Sequence, residues 1–367
     1  MSISSLVDAP QRQALASLVT SVAAYEGPQA ATSPRFGLVE MELSAIGLPH
    51  MPAGFHASDG AVTGLSLRGC GLASVHDAIG DLDSLIYLDL TDNGLTTLPR
   101  SMERLTSLEC LWLDRNALDV VPDCVWELPK LRSLAIGANK LTSLPPRVAS
   151  AAGLTHLFAH SNALTTIPDE IGHLAHLRTL DLAENPIDAL PDAIGDLAEL
   201  TILYVHRLRL STLPAAIGRL SRLAYFNASG NRITELPATI GELTALVDLR
   251  LDDNELESLP ESLGRLTTLR QLHVRGNRLA SVPPAVRGLS GLTQLDVRDN
   301  RLRVIPEFIG ELSRLVSLDL RSNALTTLPE SIGALQHLAR LDLRWNRIVP
   351  RPVWLQALQD RGCTIWD

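Results

Sequence analysis

Written in rows of 23 residues, the chain places a leucine at the head of every row from Leu85 through Leu108, Leu131, Leu154 and Leu177 to Leu338, twelve rows without an insertion. Two looser rows precede them, headed by Leu38 and Val62, the first of 24 residues, which makes fourteen in all. The row from Leu315 shows the pattern most clearly and reads LxxLxLxxNxLxxLPxxIGxLxx. Leucines at places four and six have a period of two. They predict a short strand with those leucines on one face and places three, five and seven on the other. The strands recur too far apart in sequence for hairpins, so they are expected to stack in parallel, each returning over the outside of a coil. A single row cannot bury its own leucines, and its neighbours must do so.

Asparagine takes place nine in eleven rows, from Asn93 to Asn346. There an amide can accept from and donate to backbone groups that the turn out of the strand would leave unpaired, and stacked copies form a ladder. Leu208 breaks that ladder, so a gap or local distortion is expected beside it, while Ile46 and Cys70 replace the amide in the first two rows. Proline takes place fifteen in thirteen rows, including Pro52 and Pro99, with His76 as the exception. Its fixed φ and missing donor suit an irregular outer arc. Phe226 and Ala228 take two inward places of one row, a large-for-small exchange that keeps the volume.

The row pattern resembles the leucine-rich repeat family, specifically its intracellular type with an LPxxIGxL second half, similar to Ras-binding leucine-rich scaffolds and to bacterial leucine-rich repeat proteins. The resemblance covers about 310 of 367 residues. It implies an α/β solenoid: a right-handed curved coil of about 14 repeats, with a parallel β-sheet on the concave face and irregular, 3-10 or short helical segments on the convex side. The ends must cover exposed leucines. Residues 8–25 read as a helix with Asp8 as N-cap, Pro10 in its first turn and Leu15, Leu18, Val19 and Val22 on one stripe. Val353, Trp354, Leu355 and Leu358 suggest a short helix stopped by Gly362, then Cys363, Ile365 and Trp366 as a last strand. The expected organisation is a helical cap over 1–37, the solenoid over 38–350 and a second cap over 351–367.

Composition sharpens this reading. Hydrophobic residues make up 46% of the chain but aromatic ones only 4%, as expected when thin identical layers are filled by leucine. No apolar run of about 18 residues or more exists to span a membrane and the first residues lack a Sec-type leader, so a cytoplasmic protein without membrane insertion is expected. Cys70, Cys110, Cys124 and Cys363 are scattered, which fits reduced thiols in a cytosol. The net charge of −9 argues against nucleic acid as a partner. It is uneven: residues 62–199 carry 9 basic and 19 acidic side chains, or −10, and residues 200–367 carry 21 and 17, or +4. The only lysines, Lys130 and Lys140, sit in no GK[ST] context, which excludes a P-loop.

Function is expected on places three, five and seven, where the residues vary while the frame is held. The middle rows carry Tyr87, Trp112, His156, Phe158, His160, Ile202, Tyr204, His206 and Tyr225 there, large groups for which the frame has no need and which suit a partner protein. Further on, Arg275, Arg298, Arg321 and Arg344 repeat at place seven beside Asp296, Asp319 and Asp342 at place five. These form either a self-neutralising ladder or a docking strip for an acidic segment. His156 and His160 lie two rows from His206, roughly 10 Å, too far to share a zinc shell. The expected function is thus a non-enzymatic interaction scaffold for another protein, without cofactor or metal, and the family resemblance adds a small GTPase as a partner. The alternative is a bacterial effector delivered into a host cell by a non-Sec route and linked to ubiquitin transfer.

Overall fold

The LxL pairs form the strands that their period predicts. The computed structural model describes residues 7–25, 39–40 and 53–367. Chain contacts divide the protein into two compact units, Met1–Asn185 and Pro186–Asp367, each a stack of coils.

In the first unit the strands are β1 (Val39–Glu40), β2 (Gly54–Ser58), β3 (Ala61–Ser66), β4 (Tyr87–Asp89), β5 (Cys110–Trp112), β6 (Ser133–Ala135), β7 (His156–Phe158) and β8 (Thr179–Asp181). From β3 onward they pair in parallel and in register, Leu88 opposite Leu111, Leu134 and so on. The start differs from the expectation that no strands form hairpins: β2 and β3 pair antiparallel. Asp59 and Gly60 make the two-residue connection with φ of 52° and 82°, the left-handed pair that a tight hairpin turn requires. An Asp-Gly dipeptide between short apolar runs carries this signal, but the 23-residue frame hides it.

A helix, α1 (Ala9–Tyr25), begins one residue after Asp8, whose carbonyl takes the first helical hydrogen bond from Arg12 N–H at 2.9 Å. Leu15 and Leu18 are buried and Val19 is half-buried, whereas the Val22 side chain lies outside the described residues, as do Ile46 and Pro52. Gln11 fastens the helix to the sheet: its amide oxygen accepts from Val62 N–H at 2.6 Å and its nitrogen donates to Asp83 at 3.3 Å.

The second unit carries β9 (Ile202–Tyr204), β10 (Tyr225–Asn227), β11 (Asp248–Arg250), β12 (Gln271–His273), β13 (Gln294–Asp296), β14 (Ser317–Asp319), β15 (Arg340–Asp342) and β16 (Thr364–Trp366), all parallel. A short helix, α3 (Trp354–Asp360), precedes β16 and Gly362 follows it with φ of 92°, as the sequence predicts. Leu355 and Leu358 are buried, but Val353 is 90% exposed and belongs to no apolar stripe.

Behind each sheet, place fifteen proline leads into a five-residue 3-10 turn such as Ala238–Glu242, entered from Pro237 at φ −63° and ψ 147°. His76 replaces the proline once, and its Nδ1 accepts from Ala78 N–H at 3.1 Å, so a side-chain cap stands in for the ring. The glycine of the IG pair is a packing requirement. A Cβ on Gly80 would lie 2.2 Å from the Ser101 carbonyl oxygen of the next row, and one on Gly241 the same distance from that of Ser262. Other residues hold the glycine place in some rows, among them Glu103, Ala149 and Arg287; in another, Trp126 holds it inside a single α-turn, α2 (Asp123–Trp126), and is almost completely buried.

Place eight is left-handed in every row from Asp92 (φ 59°) to Trp345 (φ 59°), although only Gly230 and Gly276 in that series are glycine. Such a backbone costs a non-glycine residue on the order of 1 kcal/mol. The neighbouring asparagine offsets it. Asn254, for example, accepts from Ile233 N–H at 3.0 Å and donates to the carbonyls of Ala228, Leu251 and Asp252 at 3.0, 3.0 and 3.2 Å. The same set recurs at Asn116, Asn139 and Asn300. Leu208, buried in the place of one amide, has no atom that could accept from Ile187 N–H.

Candidate functional site

Places three, five and seven are the side of each sheet without a second layer over it, and every candidate residue lies there half-buried. In the first unit the aromatic groups pair. The Tyr87 and Trp112 rings lie 6.2 Å apart at 28°, and His156 and Phe158 6.3 Å apart at 14°. Burial comes first among the causes that raise the Tyr87 phenol and lower the His156 imidazole from their ordinary values.

Between the two pairs runs β6, whose outward groups are all small: Ser133, Ala135 and, just beyond the strand, Gly137. Ala135 stands in register with Trp112 on one side and Phe158 on the other. It is only 3% exposed although it points away from the core, so its bulky neighbours lean over it. At Gly137 a Cβ would fall 2.6 Å from His160 Nε2 and 2.9 Å from Asp114 Oδ1, so this glycine makes room for both groups. Asp114 Oδ1 accepts from Gly137 N–H at 2.6 Å. Burial raises the Asp114 carboxyl, partly countered by the Gly137 hydrogen bond and by His160. Asp114 makes no ion pair with any described residue. The Ser161 hydroxyl donates to Glu184 at 2.8 Å and lies 3.1 Å from His160 Nδ1.

In the second unit Tyr204 and Tyr225 lie 5.1 Å apart, with His206 edge-on to Tyr204 at 6.1 Å and Ile202 on the same strand. Arg250, which belongs to neither set of expected site residues, stands 5.6 Å over the Tyr225 ring and is held by both oxygens of Asp248. Burial raises Tyr225, and Arg250 partly opposes it.

The arginines that follow are paired within the chain. Arg298 lies between Asp296 and Asp319 at 3.4 and 3.7 Å, and Arg321 between Asp319 and Asp342 at 2.7 and 3.2 Å. Arg344 meets Asp342 at 2.6 Å, and its guanidinium stands 5.5 Å over Trp345 and 5.9 Å over Trp366. Arg275 does not join them but turns to Asp253 at 2.7 Å. The self-neutralising ladder is thus the arrangement present.

The end of that ladder is short of cations. Burial, with Asp319 and Asp252 nearby, pushes the Asp296 carboxyl up to about 6, against which Arg298 works. A carboxyl raised above its unfolded value near 3.8 favours the folded state most at low pH, and that contribution is lost as pH rises through 6. Between pH 7 and pH 5, wild type should therefore gain stability relative to Asp296→Asn, whose amide does not titrate, by about 1–2 kcal/mol. Thermal melts of both proteins at pH 5, 6 and 7 check this, and a difference that does not change with pH would contradict it.

No group of three or more His, Cys, Asp or Glu among the described residues is arranged to hold a metal ion. Burial holds the Cys110 thiol at about 11, so it stays protonated near neutral pH. Beyond the candidates read from sequence, the structure adds Asp114, Gly137 and Arg250 to the outward face. Among the described residues no helix is long and apolar enough to cross a membrane.

This architecture is that of a repeat protein, and comparison identifies the repeat. Family models described as leucine-rich repeats match residues 61–118, 129–187, 206–298 and 290–348. The chain belongs to the leucine-rich repeat proteins. A leucine-rich repeat protein of Leptospira interrogans is 32% identical, with 80% of this chain and 81% of that one covered and a TM-score of 0.70. The plant peptide hormone receptor RGFR1, solved in complex with RGF2, is 28% identical over 78% of this chain and 52% of that one, with a TM-score of 0.66. An internalin from Listeria monocytogenes shares the fold at 24% identity, 85% and 91% coverage and a TM-score of 0.73. Comparison with curated proteins gives no match.

Proposed function

We propose that this protein is a non-enzymatic recognition module that binds a partner protein on the outward face of its sheets. The observation that carries the reading is the pairing of large rings on that face, Tyr87 with Trp112, His156 with Phe158 and Tyr204 with Tyr225. The inward leucines alone close each coil, so these rings do nothing for the frame, while rigid half-covered aromatic groups are common anchors of protein interfaces. The similar plant peptide hormone receptor was solved in complex with RGF2, which supports a polypeptide as the ligand of a chain built this way. The motif resemblance adds small GTPases to the panel of partners to try.

Changing Trp112, Phe158 and Tyr204 together to Ala should reduce partner capture from the native cell more than tenfold, each anchor contributing at least about 1 kcal/mol. Affinity capture with mass spectrometry reads the result, with circular dichroism as the control for folding. Retention of the same partners by a folded triple variant would overturn the proposal.

A further inference from the structure

We propose that the small-residue strand β6, between Trp112 and Phe158, is the seat for one arginine side chain of a basic segment in the partner protein. This rests on the reading that the outward face docks a protein, and it names the chemistry of the first unit's part of that face.

Three observations converge. The first is shape. Trp112 and Phe158 stand one strand to either side of Ala135, in register, so their strands are about 9.6 Å apart. Ala135 is 3% exposed, so its neighbours already cover it and the entering group lies over the rings rather than in an open slot between them.

The second is hydrogen-bonding character. Asp114 Oδ1 and His160 Nε2 both lie within 3 Å of the point that a Gly137 side chain would occupy. Asp114 is a charged acceptor with no ion-pair partner among the described residues. A ligand that satisfies it must donate, and a guanidinium donates from a flat fork that also stacks on aromatic rings.

The third is the field. Residues 62–199 carry a net −10, which draws a cationic segment and repels an acidic one. The outward arginines Arg298, Arg321 and Arg344 of the second unit are already matched by its own aspartates, whereas Asp114 of the first unit has no such partner.

The test uses Nα-acetyl-arginine methylamide as probe and the indole N–H resonance of Trp112 as reporter, assigned with Trp112→Phe among the five tryptophans. The resonance should shift and saturate at millimolar probe. The citrulline analogue, equal in shape but neutral, should bind at least tenfold more weakly, and so should the arginine probe to Asp114→Asn. Ala135→Leu, which fills the seat without changing charge, should lose the response while its melting curve shows a folded protein. An unmoved Trp112 resonance at 50 mM probe, on the order of ten times the expected constant, would overturn the inference. So would equal response to citrulline, or full response in Asp114→Asn and Ala135→Leu. If arginine fails while the triple alanine variant still loses its partner, the face docks a protein by other chemistry and only this inference falls.

Discussion

Phe226→Ala is expected to lower the stability of the protein by about 3–5 kcal/mol, the usual range for emptying a buried phenylalanine site. Phe226 is 0% exposed and takes an inward leucine place, in register with Leu203 and Leu249. Ala228, also 0% exposed, takes the next inward place, where the adjacent rows have Val205 and Leu251. The ring therefore fills the space that a branched side chain at 228 would fill. This makes a second, sharper expectation. Ala228→Leu alone overpacks the layer and costs about 1–3 kcal/mol, while Phe226→Leu with Ala228→Leu restores an ordinary row and stays within about 1.5 kcal/mol of wild type. Urea unfolding of wild type, Phe226→Leu, Ala228→Leu and the double variant gives the coupling between the two sites. If Ala228→Leu proves neutral by itself, the ring does not occupy that space and the exchange is not real.

Asn254→Ala has the next largest expected effect, about 1–3 kcal/mol, although it deletes few atoms. Asn254 is 6% exposed and makes four hydrogen bonds to backbone groups of two adjacent rows. Its removal strands Ile233 N–H in the interior, at a desolvation cost of roughly 1–3 kcal/mol, and takes one of two partners from the Ala228 and Leu251 carbonyls, which still accept from Asn231 and Asn277. It also removes one of two partners of the Asp252 carbonyl, next to Asp253, which holds φ at 54°; Gly230 N–H remains the other. Loss of protection from hydrogen exchange at Ile233 in the variant would locate the damage. A stability within 0.5 kcal/mol of wild type, about the level of an ordinary surface change, would contradict the role of the ladder.

These two sites illustrate how far the residue pattern reaches. The inward place of Phe226, the ladder place of Asn254 and the outward place of Trp112 all follow from position within a row, because strand alternation and turn chemistry are local and repeat every 23 residues. The hairpin of β2 and β3 escapes that logic, since Asp59 and Gly60 act on a two-residue scale inside a frame of another length. The outward aromatic groups were legible as residues but not as pairs. They emerge as half-covered rings, while the most exposed tryptophan, Trp345 at 70%, stands at the left-handed eighth place outside the outward set.

The repeat, its register, the leucine layers, the asparagine ladder and the outward face all follow from the residue pattern, since each depends on spacing along one chain. What one row presents to the next follows instead from the folded coils. The IG glycine at 241 is required by the Ser262 carbonyl, Arg275 chooses Asp253 over the ladder that Arg298 and Arg321 join, and Gly137 lets His160 and Asp114 meet over β6. Those choices depend on the stagger of adjacent coils and on rotamers competing for the same carboxylates. A periodic pattern assigns places, whereas contact across rows is settled by distances that no spacing along the chain contains.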